Sequence, residues 1–346
     1  MIDGSSQLVR TVEEHMLSRS FVGIVIVAST LSACRGQRAN RDTTAIAQAG
    51  NVDVAAHFDV AAWQPPPESA IPADSLGASI RRGLALVMHT PDSLPAYAPG
   101  RLTCSNCHIN AGRNVDAAPL AGSHARFPKY MDRTGAVIAL ADRVNYCFTR
   151  SLAGNRLPVD SREMQDILAY LAWLSSGVPV GEGKKLPGAE GIRAMTVPLT
   201  GDRTRGAAVY TAKCVACHGP DGAGNPAIPP GIPALWGPKS FSIGASMARQ
   251  GKAASFIWHN MPYGAGKSLT AQEAFDVAAF VTSQPRPDSP GKERDWPAGG
   301  TPADVPYATS GHAAYLPPPL LARANARTAI VPSPVPVKRA VAEQMP

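Results

Sequence analysis

Two runs decide the fold of this chain: Cys104-Ser105-Asn106-Cys107-His108 and Cys214-Val215-Ala216-Cys217-His218. Cys-x-x-Cys-His is the attachment site of a c-type haem. The two thiols of each run lie three residues apart, so on a helical turn both face one side and can bond to the porphyrin edge, while the histidine reaches the iron. The sequence therefore predicts two covalently bound haem c groups, held by Cys104, Cys107 and His108 in the first run and by Cys214, Cys217 and His218 in the second.

A repeat surrounds the two haem sites. The segments 163–170 and 273–280 each begin 55 residues after the histidine of their haem site and carry apolar residues at helical spacing. An Arg-Gly pair precedes each site, ending in Gly83 and Gly206. Glycine costs a helix about 1 kcal/mol relative to alanine, so we interpret both as points of close helix contact. An N-terminal helix crossing a C-terminal helix beside a haem is typical of cytochrome c, and we predict a mostly α fold with two tandem cytochrome c domains.

Composition and spacing suggest the domain limits. The first haem domain is predicted at 75–180, a linker at 181–200 and the second haem domain at 201–285. A Pro-rich C-terminal extension, disordered at its end, is expected over 286–346. The chain contains 33 Pro and 31 Gly, so little regular secondary structure is expected between the helices.

The N-terminus is typical of an export signal of the lipoprotein type. Arg19 precedes the apolar run 21–28, which is too short for a membrane span. The small residues before Cys34 resemble the lipidation site of bacterial lipoproteins. We predict a signal at 1–33, a lipid on Cys34, a flexible stalk at 34–74 and a periplasmic protein anchored to a membrane. The alternative is an ordinary cleaved signal with an unrelated cysteine.

The net charge of +7 does not indicate nucleic acid. The chain has no long run of Lys or Arg, and the protein is predicted to be exported. The charge suits an anionic substrate and an acidic electron partner.

The second iron needs a ligand opposite His218. Met261 lies 43 residues later, just before a proline, and a thioether there would raise the reduction potential. We predict Met261 as the ligand, with His259 and Met247 as competing candidates.

The first domain has no methionine in the matching place, and Cys147 stands 39 residues after His108. Of the 6 cysteines, four belong to the haem sites and one to the predicted lipid anchor, which leaves Cys147 without an assignment. An anionic thiolate would stabilise ferric iron, so we predict Cys147 as the sixth ligand. The alternatives are a buried cysteine that acts as a small apolar residue, a ligand from His124 or Met131, or an open site.

The stretch from Asp142-Arg143 through Tyr146-Cys147-Phe148 to Ser151 carries a family resemblance, supported by segments 125–130, 259–262 and 295–297. Over roughly residues 76 to 307 the chain resembles the dihaem thiosulfate dehydrogenases. These enzymes join two thiosulfates into tetrathionate, and some also run the reverse reaction. The resemblance implies a covalent link between a cysteine thiolate and thiosulfate, with electrons leaving through the first haem and then the second to an external carrier such as a small c-type cytochrome.

The resemblance also implies individual roles. It makes Cys147 the catalytic, iron-ligating thiolate, and it places Arg133, Arg143 and Ser151 in the substrate pocket. Some members carry Lys before the methionine ligand, where this chain has Asn260, so plain His218/Met261 ligation is expected. The rival interpretation is a non-catalytic dihaem cytochrome that relays electrons and makes no use of the lone thiol. A dihaem peroxidase would need an open iron, which Cys147 argues against.

Overall fold

The computed structural model describes residues 58–195, 199–228 and 231–309. The predicted export signal, the lipidation of Cys34 and much of the stalk lie outside the described residues, as does the chain from 310 onward. The described residues belong to one compact unit. Within the described part of the chain, the helices are too short or too polar to cross a membrane.

Helices dominate the described chain. The longer ones are α1 (Ser75–Met88), α2 (Leu140–Tyr146), α3 (Arg162–Trp173), α4 (Arg203–Lys213), α5 (Gln250–Asn260) and α6 (Ala271–Thr282). Single helical turns occur at Thr90–Ser93, Ile109–Gly112 and Val215–His218, and a π-helical turn, Cys147–Ser151, continues α2. Short 3-10 turns occupy Glu68–Ala70, Cys104–Asn106, His124–Arg126, Glu182–Lys185, Ser246–Ala248 and Lys292–Arg294. A small antiparallel hairpin joins β1 (Lys129–Met131) to β2 (Ala136–Ile138), with Lys129 opposite Ile138.

Polar side chains at their N-termini fix where the main helices begin. Asp74 caps α1, Ser161 caps α3, Asp202 caps α4 and Thr270 caps α6, each accepting a hydrogen bond from the backbone N–H three residues ahead. Such caps satisfy N–H groups that have no partner within the helix, and each stabilises it by about 1 kcal/mol. The starting positions of α1, α3, α4 and α6 are therefore determined by residues close to them in the sequence.

Two helix pairs, α1 with α3 and α4 with α6, repeat the same close contact. A Cβ added to Gly83 would lie 2.0 Å from the carbonyl oxygen of Asp166, and one added to Gly206 would lie 1.9 Å from that of Asp276. No side chain fits at such distances, so the backbones approach only because both residues are glycine. The predicted role of the two Arg-Gly pairs is confirmed.

Ion pairs close the same crossings. Arg82 Nε lies 2.7 Å from Asp166 Oδ2, and Arg205 Nε lies 2.7 Å from Asp276 Oδ2. Burial opposes ionisation of both carboxyls, but the hydrogen bonds from their arginines hold the pKa of each below its usual value. The two halves of the chain thus share the same crossing, stabilised by the same residue types.

The apolar core crosses the predicted domain limits. Ile80, Tyr170 and Leu174 from α1 and the α3 region form its centre, and Phe241 and Ala245 from the second half pack into the same cluster. The second half therefore covers the first haem-binding half directly, which places the loop around 241–248 beside the residues that follow Cys147. The predicted domain boundaries remain a prediction.

Candidate functional site

Each haem-site histidine is oriented by a backbone carbonyl. His108 Nδ1 bonds to the carbonyl of Ala118, and His218 Nδ1 lies 3.1 Å from the carbonyl oxygen of Pro233. Metal-bound histidines are held in this way, because the bond at one ring nitrogen leaves the other free for the metal. The four cysteines of the two haem runs carry no disulfide and are available for thioether bonds. This donor set fits two covalently attached haems.

Buried arginine nitrogens provide a second test of the fit. Arg113 Nε and Nη2, Arg126 Nε and Arg286 Nε are buried and have no hydrogen-bond partner among the described residues. Burial lowers the pKa of Arg126 to about 10 and that of Arg286 to about 9. Buried polar groups are rarely left unpaired, and buried charges are normally compensated. Haem propionates would be suitable anions for the buried guanidiniums of Arg113 and Arg286, so these two residues also fit the cofactor.

Cys147 lies where α2 passes into the π-helical turn, a kind of distortion that is frequent at functional sites. Arg143, one turn earlier, donates a hydrogen bond from Nη1 to Cys147 Sγ at 3.1 Å. An interaction with the side chain of His108 also lowers the pKa of this thiol, so the two side chains lie close together. The histidine of the first haem site and the unassigned cysteine could therefore contribute to one iron site.

The thiol groups of this region differ in acidity. Burial raises the pKa of Cys104 to about 11 and that of Cys107 to about 12. Burial also acts on Cys147, but the charge of Arg143 and the hydrogen bonds from His108 and Arg143 outweigh it and lower its pKa to about 6. Since the thiolate is both the nucleophile and the metal-binding form of cysteine, the surroundings favour the reactive state of Cys147 alone among these three.

Arg133, predicted to line the substrate pocket, has an engaged side chain. Its Nε donates to Asp295 Oδ2 at 2.9 Å, and its Nη2 donates to the carbonyl of Gly244 at 2.6 Å and to the hydroxyl of Tyr307. The guanidinium also lies 4.9 Å from the ring centre of Trp296. Most of its hydrogen-bonding capacity is therefore used within the protein.

Asp295 links Arg133 to the turn that carries Cys147. Its carboxylate is 1% exposed and accepts hydrogen bonds from Arg150, Arg133 and Tyr307. Arg150 belongs to the π-helical turn, so the network joins the C-terminal extension to the reactive segment. Ser151 ends the same turn and is half-buried, and the described residues include no hydrogen-bond partner for its side chain. Arg143 thus contacts Cys147 directly, whereas Arg133 is connected to its turn indirectly, through Asp295 and through Gly244 and Ser242.

Two of the three candidate ligands of the second iron, His259 and Met261, lie at the end of α5, and Met247 lies in the turn before it. Met261 follows the last residue of the helix and packs with Met247 and Phe256 in one apolar cluster. The ring of His259 is only 6% exposed, and neither of its nitrogens has a hydrogen-bond partner among the described residues. Of the alternatives for the first iron, His124 is exposed and Met131 lies in β1.

A basic cavity near the first haem site was not predicted from the sequence. Its volume is about 350 Å³, and it is lined by Arg126, Lys129, Gly181, Lys184, Ala189 and Glu190. Lys129 lies opposite Ile138 in the β-hairpin. Ile138 stands two residues before the start of α2, the helix that carries Arg143. Three cations face one carboxylate, which suits a small anion. The contributing segments are far apart in sequence, so no local pattern indicated the cavity.

Two family matches cover most of the described helices. Residues 96–180 match the family described as SoxA/TsdA, cytochrome c domain, and residues 204–285 match the family described as Cytochrome c. Together with the helices, these matches confirm the predicted class, a mostly α fold with two tandem cytochrome c domains.

Characterised relatives share one name. The chain is 43% identical to the thiosulfate dehydrogenase of Allochromatium vinosum over 64% of this chain and 83% of the relative, and 40% identical to that of Psychrobacter arcticus over 69% and 73%. The thiosulfate dehydrogenase TsdBA of Marichromatium purpuratum, solved in its as-isolated form, is 33% identical with a TM-score of 0.63. That match covers 67% of this chain and 52% of the solved chain, so this chain spans about half the length of the solved protein.

Proposed function

Because the chain belongs to the thiosulfate dehydrogenase family, we propose that it couples two thiosulfates oxidatively into tetrathionate and delivers two electrons to an external acceptor. The single observation that carries this proposal is the contact between Arg143 and the thiol of Cys147, which faces the histidine of the first haem site. An acidic thiol beside a fixed guanidinium is suited to a sulfur anion as its reaction partner.

Charge is the main obstacle to the reaction. Two doubly charged anions 4 Å apart in water repel each other by about 4 kcal/mol, four times the value for unit charges. Positive charge from Arg143 at the thiol and from Arg126, Lys129 and Lys184 around the cavity would offset this repulsion. Arg126 and Arg143 are partly buried, which reduces the screening of their charges by water, whereas Lys129 and Lys184 are exposed.

The covalent step centres on Cys147. The thiolate and the outer sulfur of one thiosulfate form a sulfur–sulfur bond with the loss of two electrons. A second thiosulfate then attacks the sulfur that came from the first, which releases tetrathionate and regenerates the thiolate. Arg143 holds the sulfonate oxygens and the thiolate in fixed geometry through its planar fork.

The cofactors complete the proposal. Cys104, Cys107, Cys214 and Cys217 would hold two haem c groups, and the iron would be held by His108 and Cys147 in the first site and by His218 and Met261 in the second. Two such haems would supply one-electron acceptors for the reaction, and a thioether ligand from Met261 would raise the potential of the second. We further propose that the protein works in the periplasm, anchored through Cys34, and reduces a small c-type cytochrome or similar carrier.

Substitution of Cys147 by Gly tests the proposal. The variant should lose thiosulfate-dependent reduction of an external acceptor while both haems stay covalently attached, as judged by haem staining after denaturing electrophoresis. Thr149→Ala is the matched control, since Thr149 lies on the same turn and bonds only to the carbonyl of Asn145. Turnover in the Cys147 variant at the rate of the control would exclude the mechanism and favour a simple electron relay.

A further inference from the structure

Asn260, the last residue of α5, binds a segment of the first haem domain. Asn114 Nδ2 donates to Asn260 Oδ1 at 3.2 Å, and Asn260 Nδ2 donates to the carbonyl oxygens of Asp116 at 3.1 Å and Phe256 at 3.0 Å. Asn260 is only 7% exposed. Its amide oxygen and both amide hydrogens are therefore engaged, two of the three bonds spanning more than 140 residues of sequence.

The segment bound by Asn260, residues 114–118, also contacts His108 of the first haem site and packs with Met261, the predicted ligand of the second. The carbonyl of Ala118 accepts the hydrogen bond that orients His108. Ala117 is completely buried and belongs to the apolar cluster in which Ala118 and Met261 pack. The same five residues thus support the histidine of the first site and pack beside the predicted thioether ligand of the second.

We propose that Asn260 is a positioning residue that holds Met261 against segment 114–118, so that thioether ligation of the second haem depends on contact with the first haem domain. The proposal rests on the proposed function, because it concerns the haem that passes the electrons onward. Asn260 immediately precedes Met261 and is fixed on three sides, so the backbone that presents the thioether cannot rotate freely.

His259, a competing candidate ligand for the second iron, lies next to Asn260 in the sequence. His259 is buried beside Asp116, with its Nδ1 3.6 Å from Asp116 Oδ2, and neither ring nitrogen is hydrogen-bonded among the described residues. Release of Asn260 would free residues 259–261 to shift together. An imidazole in place of a thioether lowers the reduction potential of the iron. The positioning role therefore has a spectroscopic and an electrochemical signature.

Asn260→Ala in the full-length holoprotein tests the proposal. We expect a weaker thioether-to-iron charge-transfer band in the near infrared and a lower potential for the second haem in a potentiometric titration, with the first haem unchanged. Asn114→Ala removes one of the two bonds to the first haem domain and should shift both readouts in the same direction by a smaller amount, which keeps the test usable if Asn260→Ala folds poorly.

Arg193→Gln is the matched control, since Arg193 Nη1 contacts the Asp116 carboxylate at 3.3 Å and does not touch Asn260. It should leave the band and the potential unchanged. Unaltered readouts in both asparagine variants, or equal shifts in the control, would overturn the proposal. Its failure is separable from that of the proposed function: loss of turnover in Cys147→Gly with unchanged readouts in the asparagine variants would reject the positioning role alone.

Discussion

The contact between Arg143 and Cys147 allows a quantitative prediction of how replacing Arg143 changes kcat/KM. Arg143→Met keeps the length and the apolar stem of the side chain but removes the donor that lies 3.1 Å from Cys147 Sγ. A hydrogen bond to a charged group contributes about 1.5–3 kcal/mol. Because about 1.4 kcal/mol corresponds to a factor of ten, kcat/KM for thiosulfate should fall about 10- to 100-fold.

The assay is steady-state reduction of ferricyanide at varied thiosulfate concentration. Arg143→Lys should lie between the wild type and the Met variant, since an ammonium keeps the charge but not the planar fork. Arg156→Gln is the control, because Arg156 is paired with Asp142 of the same helix at the surface and does not contact the thiol. Its kcat/KM should match the wild type.

Two results would refute the reasoning. One is a kcat/KM of Arg143→Met within twofold of the wild type, which would show that the guanidinium does not act on the reacting sulfur. The other is an equal loss in Arg156→Gln, which would show that only the general charge of the helix matters.

Three further outcomes are expected. Gly206→Ala places a Cβ 1.9 Å from the carbonyl oxygen of Asp276 and should lower the free energy of unfolding by about 3 kcal/mol in denaturant titration; a loss below about 1 kcal/mol would contradict the close crossing. Asp295→Asn removes the buried charge that two partly buried arginines share and should destabilise the protein by about 3–5 kcal/mol in the same assay; a loss below about 1 kcal/mol would show that this network does not stabilise the fold. Lys184→Gln should raise KM for thiosulfate about two- to fivefold at unchanged kcat, whereas Lys185→Gln, whose ammonium is already paired, should not; equal effects would mean that the cavity has no special role.

Local spacing explains why much of the fold could be predicted. The haem runs and the helix crossings at Gly83 and Gly206 depend on residues that are near in sequence or repeated at a fixed distance, and the prediction of Met261 as a ligand rests on the same kind of spacing. The contact of Arg143 with Cys147 spans one helical turn, so it is also local. Such features follow from helical periodicity and covalent chemistry, which act before any tertiary contact forms.

The hydrogen-bond partners of Arg133 could not be predicted from local spacing. Its partner Asp295 lies 162 residues away, and nothing near either residue indicates the pair. The sequence placed Arg133 in a substrate pocket by resemblance, and the structure shows a guanidinium held by Asp295, Gly244 and Tyr307. The role of Arg133 in binding substrate remains a prediction, whereas its role in anchoring the C-terminal extension follows from these bonds.

The amino-acid sequence alone predicted two haem attachment sites, a crossed helix pair in each half of the chain and one cysteine, Cys147, without a structural assignment. These properties depend on short-range spacing, which every conformation of the chain shares. Only the tertiary structure decided which charges compensate one another. It brings Lys184 and Arg126 to the lining of one cavity and forms the hydrogen bond between Asn114 and Asn260. Those contacts join segments that approach each other only when the apolar core has packed, so their identity depends on the complete fold.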